Sequence, residues 1–285
     1  MPVSGHYCSK FATSERECAA PVSVERAPPA PLAWHDVPVD PLEPLLRLAD
    51  VASTLAQARD RVDDALRHRA LRRRGGAVAA EVSLRAAVAS AALEGAAYEL
   101  AEVRAGTVTD PVLQGALRVA GAVGGLVDRW TRAPLQVLAR LHVLAARGGV
   151  AEAQLGRPVS DPAVAARLCA LAGLVAGERA APPLLRAAVV HGELLALRPF
   201  AGPSGVVARA AARLELIAGG LDPRGVVAVE AGHRARGPEY VGAAGAFATG
   251  TPDGLRAWLR HYGAAVTAGA DELTAVADEV LRLPA

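Results

Sequence analysis

The chain is poor in cysteine, in lysine and in aromatic side chains. Its three cysteines, Cys8, Cys18 and Cys169, are odd in number and form no C-x-x-C pair. That arrangement argues against both a disulfide framework and a zinc cage. Lys10 is the only lysine among 31 basic residues, all others being arginine. We attribute this bias to codon usage in a GC-rich genome. Basic and acidic residues number 31 and 29, for a net charge of +2. Such a balance gives no strong electrostatic footprint for DNA or RNA, so a nucleic-acid partner is not expected. No apolar run is long enough to span a membrane, and no membrane association is expected. The first residues lack a basic stretch followed by an apolar one, so no signal peptide is expected and the location follows as cytoplasmic. The P-loop, H-E-x-x-H and G-x-S-x-G patterns are all missing.

What the chain does have is small and helix-forming. Hydrophobic residues make up 52% but aromatics only 4%, so Ala, Val, Leu and Gly carry the apolar content. Ala and Leu are strong helix formers, and strand formers other than Val are sparse. The expected fold class is all-α. A length of 285 residues fits one large domain or two small ones.

Residues 1–39 hold Pro21, Pro28, Pro29, Pro31 and Pro38 with little periodicity, and read as an extended arm. His6, Cys8, Cys18 and His35 are metal-ligand types within that arm, but no metal site is expected there. Asp40-Pro41 then reads as a helix start. Leu42, Leu45, Leu46, Ala49, Ala52 and Ala56 recur at helical spacing, and the pattern predicts one helix to about Arg73, stopped by Gly75-Gly76. This N-terminal helical extension occupies 40–77. Its basic end, Arg67 to Arg74, reads as a solvated C-terminal turn complementing the helix dipole. Further helices are expected over 78–101, 111–128, 134–147, 161–177, 183–197, 204–219, 236–248 and 253–281. Pro or Asp-Pro marks many starts and Gly many ends. The connection 148–160 is the one place a short hairpin would fit. Asp222-Pro223 reads as a turn or helix start, and Gly232 to Arg236 as a solvated basic loop.

The stretch R-P-F-A-G-P-S-G-V-V-A-R, Arg198 to Arg209, draws the eye. It is a loop feeding a helix, and free backbone N–H groups at a helix N-terminus favour anions. The stretch resembles the signature of the Fic (fido) family, H-P-F-x-[DE]-G-N-G-R-x-x-R, without a gap. Pro199, Phe200, Gly205 and Arg209 fit. His191 on the preceding helix, His142 in L-A-R-L-H-V-L and the later E-Y-V-G-A-A also look like family segments. The resemblance spans residues 80–265. It implies a Fic-type helical domain over 78–285. Family members typically transfer AMP from ATP to a hydroxyl of a target protein.

Ser90-Ala-Ala-Leu-Glu94-Gly95 resembles the family's inhibitory-helix pattern, [ST]-x-x-x-E-[GN]. The resemblance implies that Glu94 pairs with Arg209, with Ser90, Gly95 and His191 in support. An ion pair of that kind, partly buried, would fix how two helices dock. His191 and His142 themselves read as hydrogen-bonded core residues.

The departures fall on the chemistry. Arg198 stands where the family has its proton-accepting His, and a guanidinium cannot act as a base. Gly202 replaces the carboxylate that would hold Mg²⁺. Pro203 has no N–H to offer an anion. Ser204 replaces Asn, and Val206 replaces the first Arg. The hairpin that docks targets in the family looks short. The expectation is therefore a protein without catalytic residues or a metal, and without a cofactor. It would bind an unidentified protein partner or a small anion held by Arg198 and Arg209. The family's tendency to self-associate makes a homodimer a candidate assembly. The alternative is a transferase with altered chemistry, and only then are ATP and Mg²⁺ cofactors.

Overall fold

A computed structural model describes residues 40–283, and the expectations placed on residues 1–39 lie outside it. The described chain is all-α: among the described residues there is no strand, and one isolated bridge joins Arg147 and Val150.

Among the described residues thirteen α-helices run in chain order. They are α1 (Glu43–Leu46), α2 (Val51–Leu66), α3 (Arg69–Arg73), α4 (Gly75–Ala92), α5 (Leu100–Arg104), α6 (Pro111–Trp130), α7 (Pro134–Ala146), α8 (Pro162–Ala176), α9 (Pro183–Leu197), α10 (Ser204–Ala218), α11 (Val229–Ala235), α12 (Gly237–Ala248) and α13 (Pro252–Arg282). Local chemistry explains the starts. The Asp110 carboxylate accepts from the N–H groups of Val112 and Leu113 at 2.9 and 3.0 Å, and Asp161 accepts from Ala163 at 2.8 Å. Each is followed by proline at the first helical position, where its fixed φ fits and its missing N–H costs nothing.

Five expectations need correction. The single helix over 40–73 is three helices. Asp50 sits in the left-handed region at φ 63°, which ends one segment before α2 begins, and His68 at ψ 134° separates α2 from α3. Gly75-Gly76 does not stop a helix but opens α4, because the break falls one residue earlier at Arg74. The helix over 78–101 ends at Ala92, where Gly95 at φ 93° turns the chain toward α5. Gly232 to Arg236 is not a free loop. Gly232 to Ala235 belong to α11, whose residues Val229, Gly232 and His233 are buried. Finally, 148–160 holds one 3₁₀ turn, Glu152–Gln154, and no hairpin.

Two apolar clusters form the core. In one, α13 packs against α2, α11 and α12, with Trp258 and Tyr262 fully buried. In the other, α4, α6, α7 and α8 surround Trp130, Leu138 and Leu141. Helix α10 lies between them and buries every residue from Ser204 to Leu216. The 40–77 segment shares the first cluster rather than standing apart.

Charge is buried along with these apolar residues. Glu215 on α10 has no exposed side-chain surface. Its carboxylate accepts from Trp130 Nε1 at 2.8 Å, Arg179 Nη2 at 2.6 Å and Arg186 Nε at 2.7 Å. Arg186 also donates to the carbonyls of Leu174 and Glu178. This network ties α6, α9 and the end of α8 to α10. A second polar group is aromatic: His191, His233 and His261 pack among Tyr240, Trp258 and Tyr262. Burial holds all three histidines below the ordinary imidazole pKa. The nearby Arg209 charge adds to this at His191 and His233.

Two outcomes follow from this packing. Glu215→Ala strands Arg186 without a counter-charge and should lower stability by about 3–5 kcal/mol, read from the denaturant midpoint. The histidines are neutral when folded and take up protons near pH 6.5 when unfolded. Their contribution is complete above about pH 6.5 and is lost as the pH falls. Urea titrations should therefore show stability dropping between about pH 7 and pH 5, by up to about 1.4 kcal/mol per pH unit for each histidine.

Candidate functional site

The loop Arg198 to Pro203 joins α9 to α10 and carries the residues singled out in sequence. Arg198 ends α9 in the left-handed region, at φ 44° and ψ 56°. A side chain in that conformation is strained by about 1–2 kcal/mol, so the packing of the loop must hold it there. His142 on α7 supplies part of that grip. Its ring stacks on Phe200 with centroids 4.7 Å apart. Its Nδ1 accepts from the Gly156 N–H at 3.0 Å, and its Nε2 donates to the Ala201 carbonyl at 2.8 Å. Those partners fix a neutral ring, and burial lowers its pKa. The Val159 N–H donates to the Pro199 carbonyl at 2.9 Å and fastens the loop from the other side.

The structure brings Glu94 and Arg209 together. Arg209 Nη2 donates to Glu94 Oε1 at 2.8 Å and to the Ser90 carbonyl at 2.9 Å. Its Nε donates to Ser90 Oγ at 2.9 Å, and its Nη1 to the Tyr240 hydroxyl at 3.2 Å. All three guanidinium nitrogens are engaged, and only 2% of the side chain is exposed. Burial opposes the charge, but Tyr240 and Glu94 outweigh it and hold the pKa above the usual arginine value. The segment Ser90 to Gly95 can reach Arg209 because α4 stops at Ala92 and Gly95 takes a positive φ.

Glu94 also lies over the start of α10. A Cβ added at Gly205 would collide with Glu94 Oε1. Glycine at 205 therefore makes room for the carboxylate, and the negative group sits at the positive end of a 15-residue helix. The cleft in front of the loop has a volume of about 260 Å³. Pro111, Val112, Ala145 and Ala146 give it apolar walls, Gly202 and Pro203 form its floor, and Glu94 is the one charged residue lining it.

The other signature positions are placed as follows. Arg198 is exposed and Arg209 is buried, so the two do not present a shared cation pair to solvent. Gly202 is at φ 73°, and a Cβ there would stand 2.7 Å from Val150 Cγ1. The volume that a carboxylate stem would need is taken by Val150. Ser204 is buried with its hydroxyl unpartnered within the protein, and Val206 lies in the apolar core. His191 is buried and its Nε2 meets the Tyr240 hydroxyl at 3.0 Å.

Two contributors escaped the sequence reading. Val150 precedes the 3₁₀ turn in an irregular segment, and no pattern in the residues announces its contact. Tyr240 was legible in principle: with Ala243 and Phe247 it forms the buried stripe of α12 at helical spacing.

No family model matches the sequence, and no curated protein matches it. Solved structures do. A Fic family protein from Desulfovibrio desulfuricans G20 superposes with a TM-score of 0.64 at 20% identity, over 81% of this chain and 76% of that one. Fic-1 from C. elegans superposes with a TM-score of 0.58, also at 20% identity, over 81% of this chain and 74% of that one. Likeness at this identity speaks for architecture, which agrees with what the sequence resemblance implied: the chain has an all-α, Fic-type fold.

Proposed function

We propose that this chain is a Fic-like protein without AMP-transfer activity, which acts by binding while its own Glu94 closes the anion site at the head of α10. The observation that carries this reading is the seat of the Glu94 carboxylate, bonded to Arg209 and pressed against Gly205. A phosphate approaching the helix N-terminus meets a carboxylate instead of free N–H groups. Like charges at that distance repel, and the cation that would offset them is already fully engaged.

The remaining chemistry supports the same reading. Arg198 offers no lone pair to a hydroxyl proton, which removes about 10²- to 10⁴-fold in rate from any transfer that needs a base. Gly202 offers no ligand to a divalent ion, and Val150 stands where one would grow. The cleft is lined by apolar side chains apart from Glu94. Its chemistry suits a side chain of a partner protein better than a triphosphate.

Two measurements test this. ATP with Mg²⁺ should leave the melting temperature of the intact chain unchanged, and labelled ATP should label no protein. Robust AMP incorporation that Arg198→Ala or Arg209→Ala abolishes would overturn the reading. Glu94→Ala should cost about 2–3 kcal/mol in denaturant unfolding, below the about 3–5 kcal/mol of a wholly buried pair because Glu94 is partly solvated. In that variant ATP should gain a stabilising shift that the parent lacks.

A further inference from the structure

Behind the Glu94–Arg209 pair lies a second small cavity, set between α9, α10, α11 and α13. It has room for the centre of one water molecule, about 10 Å³. His191, Arg213, His233 and Tyr262 all line it. In each of these residues one buried polar atom makes no hydrogen bond within the protein: His191 Nδ1, Arg213 Nε, His233 Nε2 and the Tyr262 hydroxyl. Buried polar atoms without partners are rare, and four around one cavity point to a shared partner.

The neighbouring bonds fix what each atom offers. The Tyr240 hydroxyl accepts from Arg209, which can only donate. That leaves the phenol's one proton for His191 Nε2, and places the imidazole proton of His191 on Nδ1, the ring nitrogen without a partner in the protein. On the far side, His261 Nδ1 faces the half-exposed Glu239 carboxylate at 3.4 Å, a long electrostatic contact that favours a proton on that nitrogen. His261 Nε2 then accepts from His233 Nδ1 at 3.0 Å, and His233 Nε2 is left with a lone pair. The cavity thus holds two donors, His191 Nδ1–H and Arg213 Nε–H, and one obligate acceptor, His233 Nε2. The Tyr262 oxygen completes the set as a second acceptor. A water molecule has two lone pairs and two protons, and matches all four.

We propose that this cavity binds one water molecule, and that the water completes a hydrogen-bonded chain from Glu239 at the surface through His261, His233, His191 and Tyr240 to Arg209. A polar site with two to four partners and about 10–15 Å³ of room is what a buried water requires. The chain also gives the ion pair a connection to solvent pH. The charged groups facing it are Glu94 from the segment after α4, Arg209, Arg213 and Glu215 from α10, Glu230 from α11, Arg236 and Glu239 at the start of α12, and His261 from α13. A proton added at His191 Nε2 competes with Arg209 for the Tyr240 oxygen. A proton added at His233 Nε2 turns the water's acceptor into a donor. Acid therefore loosens the hold on Arg209 from behind, whether or not the cleft in front takes a ligand.

A high-resolution crystal structure of the full chain at neutral pH tests the site directly. One solvent peak within hydrogen-bonding distance of His191 Nδ1 and His233 Nε2 is expected. A cavity without density, or rings rotated into direct contact, overturns the proposal. Coupling along the chain is tested by a double-mutant cycle on its two ends, Glu239→Gln and Glu94→Ala, reading the acid midpoint of unfolding. The two shifts should be non-additive, should stay so at high salt, and should become additive when Tyr240→Phe cuts the chain. Additive shifts in the parent background, or coupling that salt removes, overturn the connection.

Discussion

A single buried guanidinium organises the site. Arg209 lies near the middle of the most enclosed helix in the molecule and cannot lose its charge. Everything around it is arranged to supply acceptors. The C-terminal turn of α4 brings a hydroxyl and a carbonyl from Ser90, α12 brings the Tyr240 hydroxyl, and the segment after α4 brings the Glu94 carboxylate. Each of these constrains a backbone. Helix α4 must end where it does, residue 95 must tolerate a positive φ, and residue 205 must carry no side chain.

This constraint separates the residues that shape the site from those that are free to vary within it. A side chain that touches only substrate can change without cost to the fold, and positions 198, 202, 203 and 206 have no acid–base or metal-binding residue. Arg209 and Glu94 are different, because removing either leaves a charge stranded in a poorly solvated place. Some residues of the loop and of α10 are part of the packing. Val206 joins the apolar core, and Val150 fills the space beside Gly202. A larger side chain at Gly202 would mean displacing Val150, not only changing one residue.

Much of the architecture was legible in the residues. Proline near the starts, after Asp in α6 and α8, and glycine at the ends of α8 and α10 helped to locate α6, α8, α9, α10 and α13 to within a residue or two, because caps are local chemistry. The breaks at Asp50 and His68 were hidden, since neither is a glycine or a proline and the apolar spacing runs through them, whereas a helix does end at Arg73 as expected. Helix α11 was missed for the opposite reason. Its arginines and flanking glycines look like a loop, and only its packing between α4 and α13 reveals it. The Glu94–Arg209 contact was anticipated through a family pattern. The cavity shared by His191, Arg213, His233 and Tyr262 was not, because those residues come from four helices and no spacing links them.

The packing of α2 on α13 sets a schedule for synthesis. Arg61 meets Asp271 at 2.6 Å across 210 positions of sequence, and Val51, Leu55, Ala58 and Val62 are buried in the cluster that α13 completes. A ribosome delivers α2 well before α13, at about 5–20 residues per second. For that interval the apolar stripe of α2 has no final partner. The nascent polypeptide therefore carries an uncovered amphipathic helix until α13 has been made.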